Sequence, residues 1–175
     1  MIPVRPMTAP MPRILGVDPG SRATGFGVID SDGRQSRWVA SGVIRTTSEA
    51  MPARLGEIYR GMRQVVEQHR PSVLAVEAVF MSRNPDSALK LGQARGAAIC
   101  AGVAGEISVH EYATRAIKQA VVGTGAATKD QVAEMVRRLL NRTAPLAADE
   151  ADALAVALCH AHSMVMGQRL ARLGA

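Results

Sequence analysis

The sequence predicts an α/β domain: a mixed five-stranded sheet, an antiparallel meander joined to parallel strands, with helices on both faces. Three observations carry this prediction. Val/Ile-rich runs at 14–17, 25–29 and 38–44 are separated by short polar links containing glycine. Links that short join only antiparallel neighbours. Helical and strand patterns then alternate through the second half, as parallel strands with right-handed crossovers require. Finally, 175 residues suit one domain, large enough to bury roughly 70% of its unfolded surface.

The elements follow in order after the meander. From 51 to 69, Leu55, Ile58, Met62, Val65 and Val66 recur at helical spacing, and Pro71 closes the pattern. "VLAVE" (73–77) reads as a short buried strand. "DSALKLGQARGAAICAGVAG" is a helix with Gly92, Gly96 and Ala97 on adjacent turns, a face suited to close packing within one chain or between two. "ISVHEY" is the fifth strand, and "ATRAIKQAVVG", "TKDQVAEMVRRLLN" and "AADEADALAVALCHAHSMVM" are three further helices. The expected organisation is a flexible Pro-rich extension (1–12), one folded domain (13–166) and a C-terminal tail (167–175).

Composition narrows the function. Hydrophobic residues at 47% and charged residues at 21% describe an ordinary globular protein. No apolar stretch reaches the roughly 20 residues that span a bilayer. The opening "MIPVRPMTAPMP", with its four prolines, reads as neither signal peptide nor helix. Cys100 and Cys159 lie in Ala/Val-rich helical patterns without CxxC spacing, so buried free thiols and a cytoplasmic location are expected. A net charge of +6 favours a polyanionic partner. Aromatic residues at 3% argue against a base-stacking platform.

Four carboxylates draw attention. Asp18 ends the first strand ahead of Pro19 and Gly20, so it either serves a turn or reaches a ligand. Glu77 ends the fourth strand. Ligands of open sheets gather beyond strand carboxyl ends where the connections reverse direction, which would set Asp18 beside Glu77. Asp149 and Asp152, three apart at the start of the last helix, share one face there. Capping and the helix dipole explain that pair equally well. Taken jointly, the four form an all-oxygen cluster whose mutual repulsion a hard divalent cation such as Mg²⁺ or Mn²⁺ would relieve. His160 and His162, two apart on a helix, face different directions, and His110 lies within a strand.

These residues sit in stretches that resemble a known family. "ILGVDPGSRATGFGVI", "VEAVFMSRNPDSALKLGQARGAA", "IKQAVVGTGAATKDQV" and "ADEADALAVA" are similar to RuvC, the Holliday-junction resolvases of the ribonuclease H-like superfamily. The resemblance runs from about Arg13 to His162. It implies a ribonuclease H-like fold and a homodimeric endonuclease whose metal cluster is Asp18, Glu77, Asp149 and Asp152. It also implies DNA-contacting basic residues at Lys118 and Lys129, a base-contacting aromatic at Phe80, and a branch-migration helicase complex as partner.

The expected chemistry is symmetric cleavage of four-way junctions during recombination and repair. Two ions about 3.5–4 Å apart would activate a water and stabilise the departing 3′ oxygen. The Gly-containing "VVGTGAATK" lacks the second Gly and the Ser/Thr of a nucleotide P-loop, so approach to a DNA backbone suits it better. Arg83, Lys90 and Arg95 either extend the phosphate-binding face or are solvated surface charges. Three rivals remain: a related nuclease acting on RNA or other branched DNA, a noncatalytic junction-binding module, and an actin-like ATPase. The last would need two related domains.

Overall fold

Strands rich in Val and Ile assemble first in sequence and sit centrally in space. In the computed structural model, which describes residues 11–78 and 84–173 with side chains as far as residue 167, β1 (Arg13–Asp18), β2 (Ala23–Ser31) and β3 (Ser36–Arg45) form the expected meander. There follow α1 (Met51–His69), β4 (Val73–Glu77), α2 (Pro85–Val103), β5 (Ser108–Tyr112), α3 (Thr114–Val122), α4 (Lys129–Leu139) and α5 (Ala148–Leu173). The sheet order is β3-β2-β1-β4-β5. β4 pairs in parallel with both β1 and β5. The chain therefore departs from β1 in both directions, and the carboxyl ends of β1 and β4 lie side by side.

Each face of the sheet carries its own core. Ile14, Ile29 and Ala75 point toward α3, α4 and α5, where Leu154, Leu158, Val136 and Ile117 close over them. Leu15, Val17, Val28, Leu74 and Val76 point the other way, onto Ile58, Met62, Ala94 and Ala98 of α1 and α2. The alternation along β1 and β4 is the period-two pattern of a sheet covered on both sides. α5 is buried from Ala151 through Ala161 except at Asp152, and its alanines let it lie directly on the strands. A Cβ added at Gly16 would stand 2.1 Å from the carbonyl oxygen of Ala153, and one at Gly25 would stand 2.0 Å from that of Asp149. These two glycines set how closely α5 approaches β1 and β2.

Local signals fix the ends. Arg70 adopts φ 48°, with its N–H donating to the Val66 carbonyl, and Pro71 follows. The Asn84 side chain accepts from the amides of Asp86 and Ser87 ahead of α2. Two expectations need correction. Cys100 is exposed, on the outer face of α2, whereas Cys159 is buried as expected; the Ala/Val-rich pattern around Cys100 describes a helix buried on only one side. The 167–175 segment expected to be a tail continues α5 as far as Leu173, because nothing in "GQRLARL" breaks a helix. Most of the N-terminal extension lies outside the described residues, although the Ser31 amide donates to the carbonyl of Pro12.

Candidate active site

Two carboxylates arrive on the sheet. Pairing between β1 and β4 ends at Val17 with Val76, so Asp18 and Glu77 are the next residues out, adjacent at the strand tips. Asp18 faces Gly25 of β2, where the absent side chain admits α5.

Two more arrive on α5. Glu150 reaches back to accept from the Ala147 amide at 2.9 Å, so capping falls to Glu150 and Asp149 lies inside the first turn. The turn-and-cap explanation that competed for Asp149 is thus taken by its neighbour. Asp18, Glu77 and Asp152 line one open cleft, with Ile117, Val132, Ala155 and Val156 among the apolar residues of its wall.

The opposite wall is basic and polar. Thr114 and Lys118, one helical turn apart in α3, both line the cleft, as does Lys129 at the start of α4. The loop between these helices is tied down by Gln119, which donates to the Gly123 carbonyl and accepts from the Gly125 amide. Thr128 and Gln131 form a reciprocal capping box that fixes the backbone of Lys129. Gly123 takes φ 91°, a conformation favouring glycine. "VVGTGAATK" is therefore a tied corner that ends on the Lys129 ammonium, with Lys118 in the helix that leads into it.

Electrostatics couple the parts. Burial pushes the Asp18 carboxyl up to about 7, and the charges of Asp152, Glu77 and Asp149 push in the same direction against the opposing pull of Lys129. All four carboxylates thus act within one field. They do not already form a chelate: among the described residues, no three His, Cys, Asp or Glu side chains are arranged to hold one ion. Lys129 Nζ donates to Asp152 Oδ2 at 2.8 Å, and the Thr114 hydroxyl donates to Glu77 Oε1. Two of the carboxylates are thus held by donors from α3 and α4.

The remaining expected site residues scatter. Arg95 pairs with Glu111 and donates from Nε to the Glu77 carbonyl at 3.3 Å, so it braces α2 against β4 and β5. Lys90 pairs with Asp86 of its own helix at 2.5 Å. Phe80 and Arg83 lie outside the described residues. His160 is buried, its Nδ1 bonded to the Tyr112 hydroxyl at 2.8 Å, and His162 Nδ1 meets the Ala120 carbonyl. Sequence reasoning missed Thr114 and Gln119. A hydroxyl opening the helix right after the fifth strand was the available signal for the first.

Comparison with known proteins identifies the family. A family model described as "Crossover junction endodeoxyribonuclease RuvC" matches residues 14–160. Curated relatives bearing the same description include one from Acinetobacter baumannii, 56% identical over 94% of this chain and 91% of its own length. Another, from Alkalilimnicola ehrlichii, is 56% identical over 94% of this chain and all of its own. Among solved structures, Thermus thermophilus RuvC in complex with Holliday junction substrate superposes with a TM-score of 0.83 and 37% identity. That match covers 90% of this chain and 96% of the other. With a family match across most of the chain and relatives this similar, the protein belongs to the RuvC family of metal-dependent crossover junction endodeoxyribonucleases.

Proposed function

We propose that this protein resolves four-way DNA junctions by symmetric, metal-dependent phosphodiester hydrolysis during homologous recombination and repair. The observation that carries this reading is the cleft itself: Asp18, Glu77 and Asp152 line it together with Lys118 and Lys129, and Asp149 adds its charge to the same field. The donor set fits divalent cations. Every candidate ligand is a carboxylate oxygen, the hard donor that Mg²⁺ and Mn²⁺ prefer, and the Asp18 carboxyl is raised first by burial and then by its acidic neighbours, both of which a bound cation would offset. Asp18, central to the field, would hold the ions together with Glu77, Asp149 and Asp152, two ions per site being the expected number. When bound, such ions supply the charge that activates a water and stabilises the departing 3′ oxygen.

The chain's own groups orient the substrate. Lys118 and Lys129 hold backbone phosphates over the carboxylates, the former from α3 and the latter at the end of the tied corner. Thr114 keeps the Glu77 carboxylate turned toward the cleft. Among the described residues no histidine lines the cleft, and the proposal assigns no imidazole base. Phe80 would contact bases near the crossover.

Symmetric cutting calls for two copies, and α2 supports a homodimer. Leu89 and Val103 are 68% and 60% exposed. On the same face, a Cβ at Gly92 or Gly96 would meet nothing within 4 Å. Buried Ala94, Ala98 and Ala101 occupy the opposite side of the helix. We assign the exposed face to a second copy, the branch-migration helicase complex to a surface elsewhere, and the enzyme to the cytoplasm, where two free thiols suit a reducing environment. Cleavage of a synthetic mobile junction with mapped cut sites tests the proposal. Paired, symmetric nicks requiring Mg²⁺ or Mn²⁺ are expected, and preferential cutting of a fork or a hairpin RNA would overturn it.

A further inference from the structure

We propose that the Lys129 ammonium is an exchangeable counter-ion, seated on Asp152 in the metal-free cleft and transferred to a DNA phosphate when a divalent ion takes Asp152. This inference rests on the metal-dependent nuclease reading above and adds a thermodynamic coupling between metal loading and DNA grip.

Four features of the site carry it. The ion pair is direct, at 2.8 Å between Lys129 Nζ and Asp152 Oδ2. It is lopsided: the lysine side chain is 80% exposed and that of Asp152 only 21%. The carboxylate is fixed in the cleft wall, while the ammonium is held mainly at its tip and is free to leave. Its pivot stays still, because the Thr128–Gln131 capping box secures the backbone at that point. The ammonium sits on Asp152 Oδ2, an oxygen that a divalent ion would also take, so lysine and metal compete for the same carboxylate.

Charge explains both positions. A monovalent ammonium partly offsets the repulsion among four carboxylates, which is why Lys129 pulls the Asp18 carboxyl down against the others. A divalent ion at Asp152 would offset it better and would repel the ammonium from the same oxygen. A half-exposed ion pair is weak, so it yields to the ion. The displaced ammonium then stands at the cleft mouth beside Lys118, which also lines the cleft and makes no ion pair among the described residues. Two neighbouring ammoniums there suit a polyphosphate backbone. Coupling of this kind is reciprocal: metal must tighten DNA binding by the factor that DNA tightens metal binding.

Salt dependence reads the number of phosphate contacts, so it separates the two states of Lys129. Junction affinity is measured against salt in EDTA and in Ca²⁺, with the strands verified as uncut on a denaturing gel. Relative to Lys129→Met, the wild type should show no steeper slope in EDTA. In Ca²⁺ it should be steeper by about one contact, a slope difference of roughly 0.9. Lys118→Met should lose its contact equally in both conditions. Asp152→Asn, which releases Lys129 without metal, should show the steeper slope already in EDTA. Without DNA, Lys129→Met should bind Mn²⁺ several-fold more tightly than wild type by calorimetry. A slope difference between wild type and Lys129→Met that is the same in EDTA and Ca²⁺ would overturn the exchange. A wild type that neither binds nor cuts junctions would instead overturn the function on which it rests.

Discussion

Replacing Asp18 with Asn should make the metal-free protein more stable while destroying its activity. The substitution keeps the size of the side chain and removes its charge. Burial and the nearby carboxylates raise the Asp18 carboxyl from 3.8 to about 7. The unfolded chain therefore ionises this group at a pH where the folded chain does not. Above pH 7 the folded state must carry the charge, and the gap corresponds to about 4 kcal/mol of lost stability. The sign follows from proton binding: the folded state holds the proton more tightly, so wild-type stability falls as pH rises from 3.8 to 7. At pH 5 the unfolded chain is ionised and Asp18 in the folded chain is not, which leaves a penalty of about 1.6 kcal/mol.

Urea unfolding in EDTA at a series of pH values measures the difference directly. Asp18→Asn should exceed wild type by up to about 4 kcal/mol at pH 8, with the margin shrinking below 2 kcal/mol at pH 5. Adding Mn²⁺ should narrow the margin at pH 8 to less than half. A ligand at one hundred times its dissociation constant stabilises by about 2.7 kcal/mol, and only the wild type retains the central carboxylate. Junction cleavage by the variant should vanish while junction binding persists. A variant no more stable than wild type at pH 8 in EDTA would refute the reasoning, because neither burial nor the neighbouring carboxylates would then penalise the Asp18 charge.

Three further predictions test the scaffold. Gly25→Val should displace the start of α5, since even a bare Cβ stands 2.0 Å from the Asp149 carbonyl oxygen; calorimetry should find Mn²⁺ binding weakened at least tenfold together with a lower Tm. Leu89→Arg on the exposed face of α2 should give a monomer by analytical ultracentrifugation with far-UV circular dichroism unchanged, and a persistent dimer would move the interface elsewhere. Tyr112→Phe removes the partner of buried His160, which should cost about 1–3 kcal/mol in urea unfolding and leave Mn²⁺ binding intact. Burial holds His160 down at about 4, so its neutral form belongs to the folded state and stability should fall as pH drops from 6.5 toward 4.

Much of the fold was legible because hydrophobic periodicity reports burial and burial is what the sheet requires. The three early strands, the two parallel ones and all five helices stand where Val, Ile and the helical spacings place them. The departures have separate causes. Cys100 reads as buried because Ala and Val surround it, yet α2 covers the sheet with a single face and turns Cys100 outward. Composition averages over a helix, whereas burial is decided by angle. The end of α5 fails differently: residues 167–173 lack an apolar period to mark them, but they also lack a Pro or Gly cluster to stop a helix already under way.

The acidic side of the site was readable for a deeper reason than the carboxylates themselves. A strand that must be covered on both faces has no cause to carry Gly16 and Gly25, since glycine weakens a strand interior. Both are explained once α5 lies against them, and that contact is what carries Asp149 and Asp152 to the tip of β1. The glycines in the strands and the aspartates in the helix are thus one feature, written more than a hundred residues apart. What the sequence could not disclose is which partner each carboxylate holds before a metal arrives. Thr114 on Glu77 and Lys129 on Asp152 are chosen by the crossing of α3 and α4 over the cleft, and no periodicity encodes a crossing angle. The donors that hold Glu77 and Asp152 therefore come from α3 and α4, the two elements whose placement over the sheet the sequence pattern leaves open.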